Sequence, residues 1–318
     1  MSESKATTSV ERAAAMLGHA EETPLDRAAR VMERQARAEH PPANLPFADP
    51  DSALQPIRDF AEEPPEPKES ARVEIAVERL AQRGILSPLG EKTRTAEEFR
   101  MVKRRVLAGA FGRDGQQLPR GNLVMVTSAK PREGKTFTAI NLAISIALEK
   151  DVHVLLVDAD LVRPTVLRNF GVTADRGLVE VLEDPRLNVG DVMLRTNIDK
   201  LSLLPAGSFH RMAPELLASE RMRTIMDELA SRYSDRIIIF DSPPLLATSE
   251  PTVLARQVGQ IIFVVEAERT SEVGVRTALG LIADCPEVAM VLNKSRSVLG
   301  THSFGSYYSY YGRERESR

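Results

Sequence analysis

Six short runs of apolar, β-favouring residues, each parted from the next by a segment long enough for a helix, restrict this chain to one kind of fold. They are Leu123–Val126, Val152–Val157, Leu201–Leu204, Ile237–Phe240, Ile261–Val265 and Val288–Leu292. A strand with one wet face alternates apolar and polar residues. These runs are nearly continuous, so they read as strands buried on both faces. Parallel neighbours need long crossovers, and helical segments such as Lys135–Lys150, Pro214–Arg232 and Ser271–Asp284 supply them. The pattern predicts an α/β fold with a doubly wound, mostly parallel sheet over residues 95–300. A helix over Ala96–Leu107 opens it, with Thr95 and Glu98 at capping-box spacing and Phe99, Val102 and Val106 on one stripe.

The flanks read differently. Residues 1–94 form an N-terminal extension, in which Val10–His40 is rich in Ala, Glu and Arg and suits weakly packed helices. Pro41, Pro42, Pro46, Pro50, Pro56, Pro64, Pro65 and Pro67 then punctuate an acidic stretch, which reads as an extended linker with little to bury. Residues 301–318 read as a flexible tail. No apolar run approaches the ~20 residues that cross a bilayer, and one cysteine, Cys285, admits no internal disulfide. Both point to the cytoplasm. A net charge of −3 gives no whole-chain attraction to nucleic acid, so none is expected as a partner.

Between the first run and its helix stands Ala129-Lys130-Pro131-Arg132-Glu133-Gly134-Lys135-Thr136, followed by Phe137. Strand, loop and helix in that order are the context of a phosphate loop, whose backbone N–H groups converge on phosphate oxygens at the positive end of the helix. Gly134 permits close approach of the backbone, Lys135 reaches the β- and γ-phosphates, and Thr136 ligates Mg²⁺. Ala129 stands where the general pattern has its first glycine. Two later strand ends carry acid: Val154-Leu-Leu-Val-Asp158-Ala159-Asp160 and Ile237-Ile-Ile-Phe240-Asp241-Ser242-Pro243-Pro244. Any one of these aspartates alone would pass for a cap or turn residue. Three strand ends in this order would not, because ligands of open α/β sheets bind beyond the carboxyl ends of the strands. ATP is the expected ligand, with Mg²⁺ on Thr136, Asp158 and Asp241.

These motifs resemble the Walker A, A′ and B motifs of the bacterial tyrosine kinases, P-loop proteins that accompany exopolysaccharide or capsule export. The resemblance covers residues 90–312 and includes Pro205-Ala-Gly207, Pro214-Glu215-Leu216-Leu217 and a tyrosine-rich end. It implies autophosphorylation of that end. Four of the five tyrosines, Tyr307, Tyr308, Tyr310 and Tyr311, lie there among Gly and Ser, in a segment unable to pack as a helix or strand core. The family assembles rings through a Glu-x-x-Arg-x-x-Arg helix. Glu97, Arg100 and Lys103 match it with lysine in the last place, which implies a homo-oligomer. Val162 precedes the basic Arg163, whereas many members carry arginine one place earlier. Asn293-Lys294 follows the last run, where related ATPases contact the adenine. Related systems are switched on by a membrane protein that governs polysaccharide chain length. With no membrane run here, the resemblance implies a separate activator that recruits the chain to the inner face of the membrane.

A tyrosine hydroxyl with a pKa near ~10 needs a base to attack phosphorus at neutral pH. Asp158 or Asp160 is the candidate, with Lys135 stabilising the transferred group. Four phosphates would add about −6 to −8 charge, driving the tail from an acidic site and loosening a ring. The alternative is a positioning ATPase of the septum-placement or plasmid-partition kind, acting as a nucleotide-dependent dimer switch. Lys130 occupies the place of the lysine that such ATPases carry. Pro131 and Arg132 replace their paired glycines, and no amphipathic C-terminal helix follows.

Overall fold

The computed structural model describes residues 70–89, 93–112, 117–232 and 235–296. The Val10–His40 segment, the proline-rich linker, Tyr233 and the tail with Tyr307, Tyr308, Tyr310 and Tyr311 lie outside the described residues. The strands are β1 (Arg72–Val73), β2 (Leu123–Ser128), β3 (His153–Asp158), β4 (Leu194–Thr196), β5 (Leu201–Leu204), β6 (Arg236–Asp241), β7 (Gln260–Glu266) and β8 (Glu287–Asn293). They form one sheet in the order β1-β4-β5-β3-β6-β2-β7-β8. Every pair from β5 to β8 is parallel, whereas β4 runs antiparallel to β5 and carries β1 parallel to itself. The fold is the doubly wound, mostly parallel sheet that the apolar runs predict.

Each central strand feeds two cores. In β2, Leu123 and Met125 belong to one face, Val124 and Val126 to the other. Helices α1 (Val77–Gln82), α2 (Arg94–Phe111), α3 (Lys135–Ala147) and α4 (Val166–Phe170) cover the second face. The first is covered by α5 (Leu178–Glu183), α6 (Val189–Val192), α7 (Ala213–Leu217), α8 (Glu220–Arg232), α9 (Glu250–Ala255) and α10 (Glu272–Gly280). All six residues of β2 are buried, and so are the last five of β3 and of β6, which is why their sequences do not alternate.

Local signals move some boundaries. Helix α2 is capped by Thr93, whose hydroxyl accepts the Ala96 N–H at 3.1 Å, rather than by Thr95, and Glu98 pairs with Arg94 at 2.8 Å. The predicted helix over 214–232 is two helices. Ser219 Oγ donates to Leu216 O at 2.7 Å and accepts the Met222 N–H at 3.2 Å, closing α7 and opening α8.

The sequence pattern opens the domain at residue 95, and the structure carries it back to residue 72. Strand β1 is two residues long and leaves no periodic signal, but the segment it starts is firmly held. Asn197 binds Ile75 twice, accepting its N–H at 2.9 Å and donating to its carbonyl at 3.0 Å. Ile75, Leu80, Ile85 and Leu86 are buried in the second core, and the Leu86 N–H donates to Asn141 Oδ1 on α3 at 2.8 Å. Burying one such side chain stabilises by ~1.5–3 kcal/mol. Four together approach the ~5–15 kcal/mol that separates a typical folded domain from its unfolded chain. A chain beginning at residue 95 is therefore expected to be unfolded or aggregated, and one beginning at residue 70 to melt cooperatively. Circular dichroism melts of the two truncations decide it; equal melting would show that residues 72–86 are dispensable.

Candidate active site

The loop after β2 is built around a buried acid. Glu133 is 3% exposed. Its Oε2 accepts the Lys130 N–H at 2.8 Å and its Oε1 accepts the Thr270 hydroxyl at 2.6 Å. Ser128 Oγ donates to Lys130 O at 2.8 Å. Two residues of the loop adopt the left-handed conformation, Gly134 at φ 103° and Arg132 at φ 69°. At Gly134 the glycine is required twice over, since a Cβ there would lie 1.9 Å from Asn293 Nδ2. Lys135 and Thr136 then open α3. The Glu133 side chain shapes the loop, and Lys130 and Pro131 are exposed on its rim.

Beside the loop, β3 and β6 pair in register with Asp158 opposite Asp241. Both acids are 1% exposed. Asp241 Oδ2 accepts the Thr136 hydroxyl at 2.6 Å, and Thr136 Oγ1 lies 3.0 Å from Thr165 Oγ1. Asp158 Oδ2 accepts the N–H groups of Thr165 and Val166, each at 2.9 Å, where α4 begins. Each acid keeps one buried oxygen, Oδ1, without a hydrogen-bond partner. Burial pushes Asp241 up to about 7 against the opposing pull of the Thr136 hydroxyl and the Lys135 charge. Burial, and then the neighbouring Asp241, hold Asp158 well above the usual carboxylate range. Two orphaned carboxylate oxygens beside a threonine hydroxyl fit a hard divalent cation. Among the described residues no group of three or more His, Cys, Asp or Glu forms a self-contained metal site. That too fits Mg²⁺, which takes most of its ligands from phosphates and water.

Asp160 is half-buried. Its Oδ1 accepts the Arg163 N–H at 3.0 Å. Burial raises its pKa, the Arg163 N–H and the Lys135 ammonium lower it, and buried Glu250 raises it again. Glu250 opens α9 and is 3% exposed. The sequence does not single it out, because an acid just before Pro251 reads as an ordinary helix start. Lys135 is 9% exposed, and its charge acts on both Asp160 and Asp241.

The remaining expected residues divide. Phe137 turns to α2 and meets the Phe99 ring edge-on, 6.3 Å between centroids. Asn293 reaches the loop itself, its Nδ2 donating to Glu133 O at 2.9 Å. Glu97 and Arg100 pair with each other at 2.5 Å on the surface of α2. Lys103 departs from the expected assembly role: it is buried, donating to Ser145 O at 3.1 Å and pairing with Glu149 at 2.7 Å. Its charge is used up within its own chain.

A phosphate loop entering a helix beside two in-register strand-end carboxylates defines a P-loop NTPase. Residues 121–294 match the family described as AAA domain, and the chain belongs to it. Over 231 residues it is 29% identical to the tyrosine-protein kinase YwqD of Bacillus subtilis, a match covering 73% of this chain and 92% of that one. It is 34% identical over 143 residues to the tyrosine-protein kinase etk of Escherichia coli, covering 45% of this chain and 19% of that one. Among solved structures, the kinase domain of Escherichia coli tyrosine kinase ETK superposes with a TM-score of 0.51 at 28% identity, over 57% of this chain and 71% of that one. Within the AAA domain family, then, the chain is similar to proteins named as bacterial tyrosine kinases.

The folded chain holds a proton on Asp241 that the unfolded chain gives up at lower pH. Stability from this group is therefore lost as pH rises from the ordinary carboxylate range, near ~4, to about 7. Asp241→Asn cannot ionise. Without nucleotide or Mg²⁺ it is expected to melt several degrees above the unsubstituted chain at about pH 8, with the gap narrowing below about pH 7 and nearly closed at about pH 4. Calorimetry across that range checks it; coincident melts at the alkaline end would show that Asp241 is not destabilising.

Proposed function

We propose that this chain transfers the γ-phosphoryl group of ATP to the tyrosines of its own C-terminal cluster, as a protein-tyrosine autokinase that regulates exopolysaccharide polymerisation or export. The observation that carries this reading is the in-register pair Asp158 and Asp241, each with an unpartnered buried oxygen, beside Lys135 and Thr136.

The loop N–H groups and the Lys135 ammonium bind the phosphates and disperse the charge of the transferred group. Thr136, Asp158 and Asp241 hold Mg²⁺, which when bound neutralises phosphate charge. Of the two candidate bases, Asp160 suits the role better. Asp158 is enclosed and has Oδ2 committed to two N–H groups, whereas Asp160 is half-exposed and accepts the Arg163 N–H through Oδ1, leaving Oδ2 to take a proton. The tyrosine oxygen attacks phosphorus, its proton passes to Asp160, and the bond from phosphorus to the ADP oxygen breaks. The adenosine end is assigned to a cavity of about 490 Å³ lined by Phe99, Phe137, Thr138, Leu292 and Asn293.

Glu97 and Arg100 remain half-exposed for assembly of a homo-oligomer. Among the described residues no helix is long and apolar enough to cross a membrane. A separate membrane activator and a cytoplasmic chain recruited to the inner membrane face complete the proposal; nucleic acid has no part in it.

Incubation of the full chain with Mg-ATP, followed by mass spectrometry of the C-terminal peptide, is expected to find phosphate on Tyr307, Tyr308, Tyr310 and Tyr311. Lys135→Met is expected to lower labelling at least ~100-fold. Undiminished labelling in purified K135M refutes the site. ATP hydrolysis without any phosphotyrosine turns the reading to a positioning ATPase.

A further inference from the structure

The second left-handed residue of the phosphate loop has a side chain, and the structure supplies what holds it. Arg132, at φ 69°, occupies a conformation that glycine adopts freely and other residues adopt only at a cost. Its carbonyl accepts the Lys294 ammonium at 2.7 Å. The next carbonyl, that of Glu133, accepts Asn293 Nδ2 at 2.9 Å. Two consecutive carbonyls of the loop are thus met by two consecutive residues at the end of β8. Lys294 is itself anchored, 3.2 Å from Glu266 Oε2 at the end of β7, and its own backbone is left-handed at φ 57°.

A carbonyl oxygen turned toward the phosphates would repel them. A loop of this kind binds anions only while its N–H groups, and not its carbonyls, face the ligand. We infer that Lys294 is a positioning residue for the nucleotide: by holding the Arg132 carbonyl it keeps a non-glycine loop in the conformation that presents the N–H groups of Glu133, Gly134 and Lys135. This rests on the nucleotide reading of the loop. Lys294 acts on the loop through the backbone; it also borders the cavity assigned to the adenosine end, and rescue by glycine at position 132 separates the clamp from any direct contact there. The clamp matters because Arg132 is not glycine.

That dependence gives a test that a merely structural lysine would not pass. Binding of a fluorescent N-methylanthraniloyl ADP with Mg²⁺ is titrated on the full chain, with thermal melting in parallel. Lys294→Met, which loses a charge-assisted hydrogen bond, is expected to weaken binding about tenfold. Lys294→Arg, which keeps a cationic donor, is expected to stay close to the unsubstituted chain. Adding Arg132→Gly to K294M is expected to restore most of the affinity, because glycine holds the bend unaided. Should K294M fail to fold, Glu266→Gln frees the anchor of the ammonium and is expected to weaken binding about threefold. Unchanged affinity in K294M, or in E266Q where that variant stands in, overturns the inference, as does a double variant no better than K294M alone. If the unsubstituted chain binds no nucleotide, the phosphate-loop reading falls first and the clamp with it. Tight binding by the unsubstituted chain with an unaffected K294M removes the clamp only.

Discussion

The site depends on two carboxylates being forced together where water cannot separate them. Asp158 and Asp241 stand opposite each other because β3 and β6 pair in register over six residues, and four of those pairs join buried apolar residues. Packing energy from the sheet therefore fixes the spacing of like charges that would otherwise part. A slip of one residue in either strand would turn its acid to the opposite face of the sheet and break the pair. Thr136 and the first turn of α4 satisfy one oxygen of each acid, and the other oxygen of each is left as binding capacity.

Around that pair the phosphate loop is held from outside. Glu133 takes the Lys130 N–H and the Thr270 hydroxyl, and Asn293 takes the Glu133 carbonyl. The residues that shape the loop thus come from the ends of β7 and β8, on the opposite side of β2 from β6 and β3, which carry the acids. The phosphate cradle lies between two halves of the sheet, one supplying acid and the other shape.

How much of this the sequence reveals follows from what each element depends on. The six apolar runs are legible because central strands are buried on both faces and carry the mark in their composition. Strands β1 and β4, of two and three residues at the edge, are fixed by pairing and by Asn197 and leave no such mark. The aspartates are legible because chemistry requires them at strand ends. Glu250 and the bond from Lys294 to the loop are not, since Asp160 and Arg132 are remote in sequence and meet them only after folding. The contacts of Lys103 are hidden for the same reason: its spacing from Arg100 fits an assembly helix, and its partners within the chain lie at the end of α3 and just beyond.

The strand order has one more consequence. The described domain starts on β1 and ends on β8, which are the two outermost strands of the sheet. Seven spacings of ~4.8 Å separate them, so entry and exit lie roughly 34 Å apart on opposite margins. Copies set margin to margin would bring the incoming end of each beside the outgoing end of the next. Such a repeat joins unlike surfaces and closes into a circle whenever the turn per copy divides a full rotation.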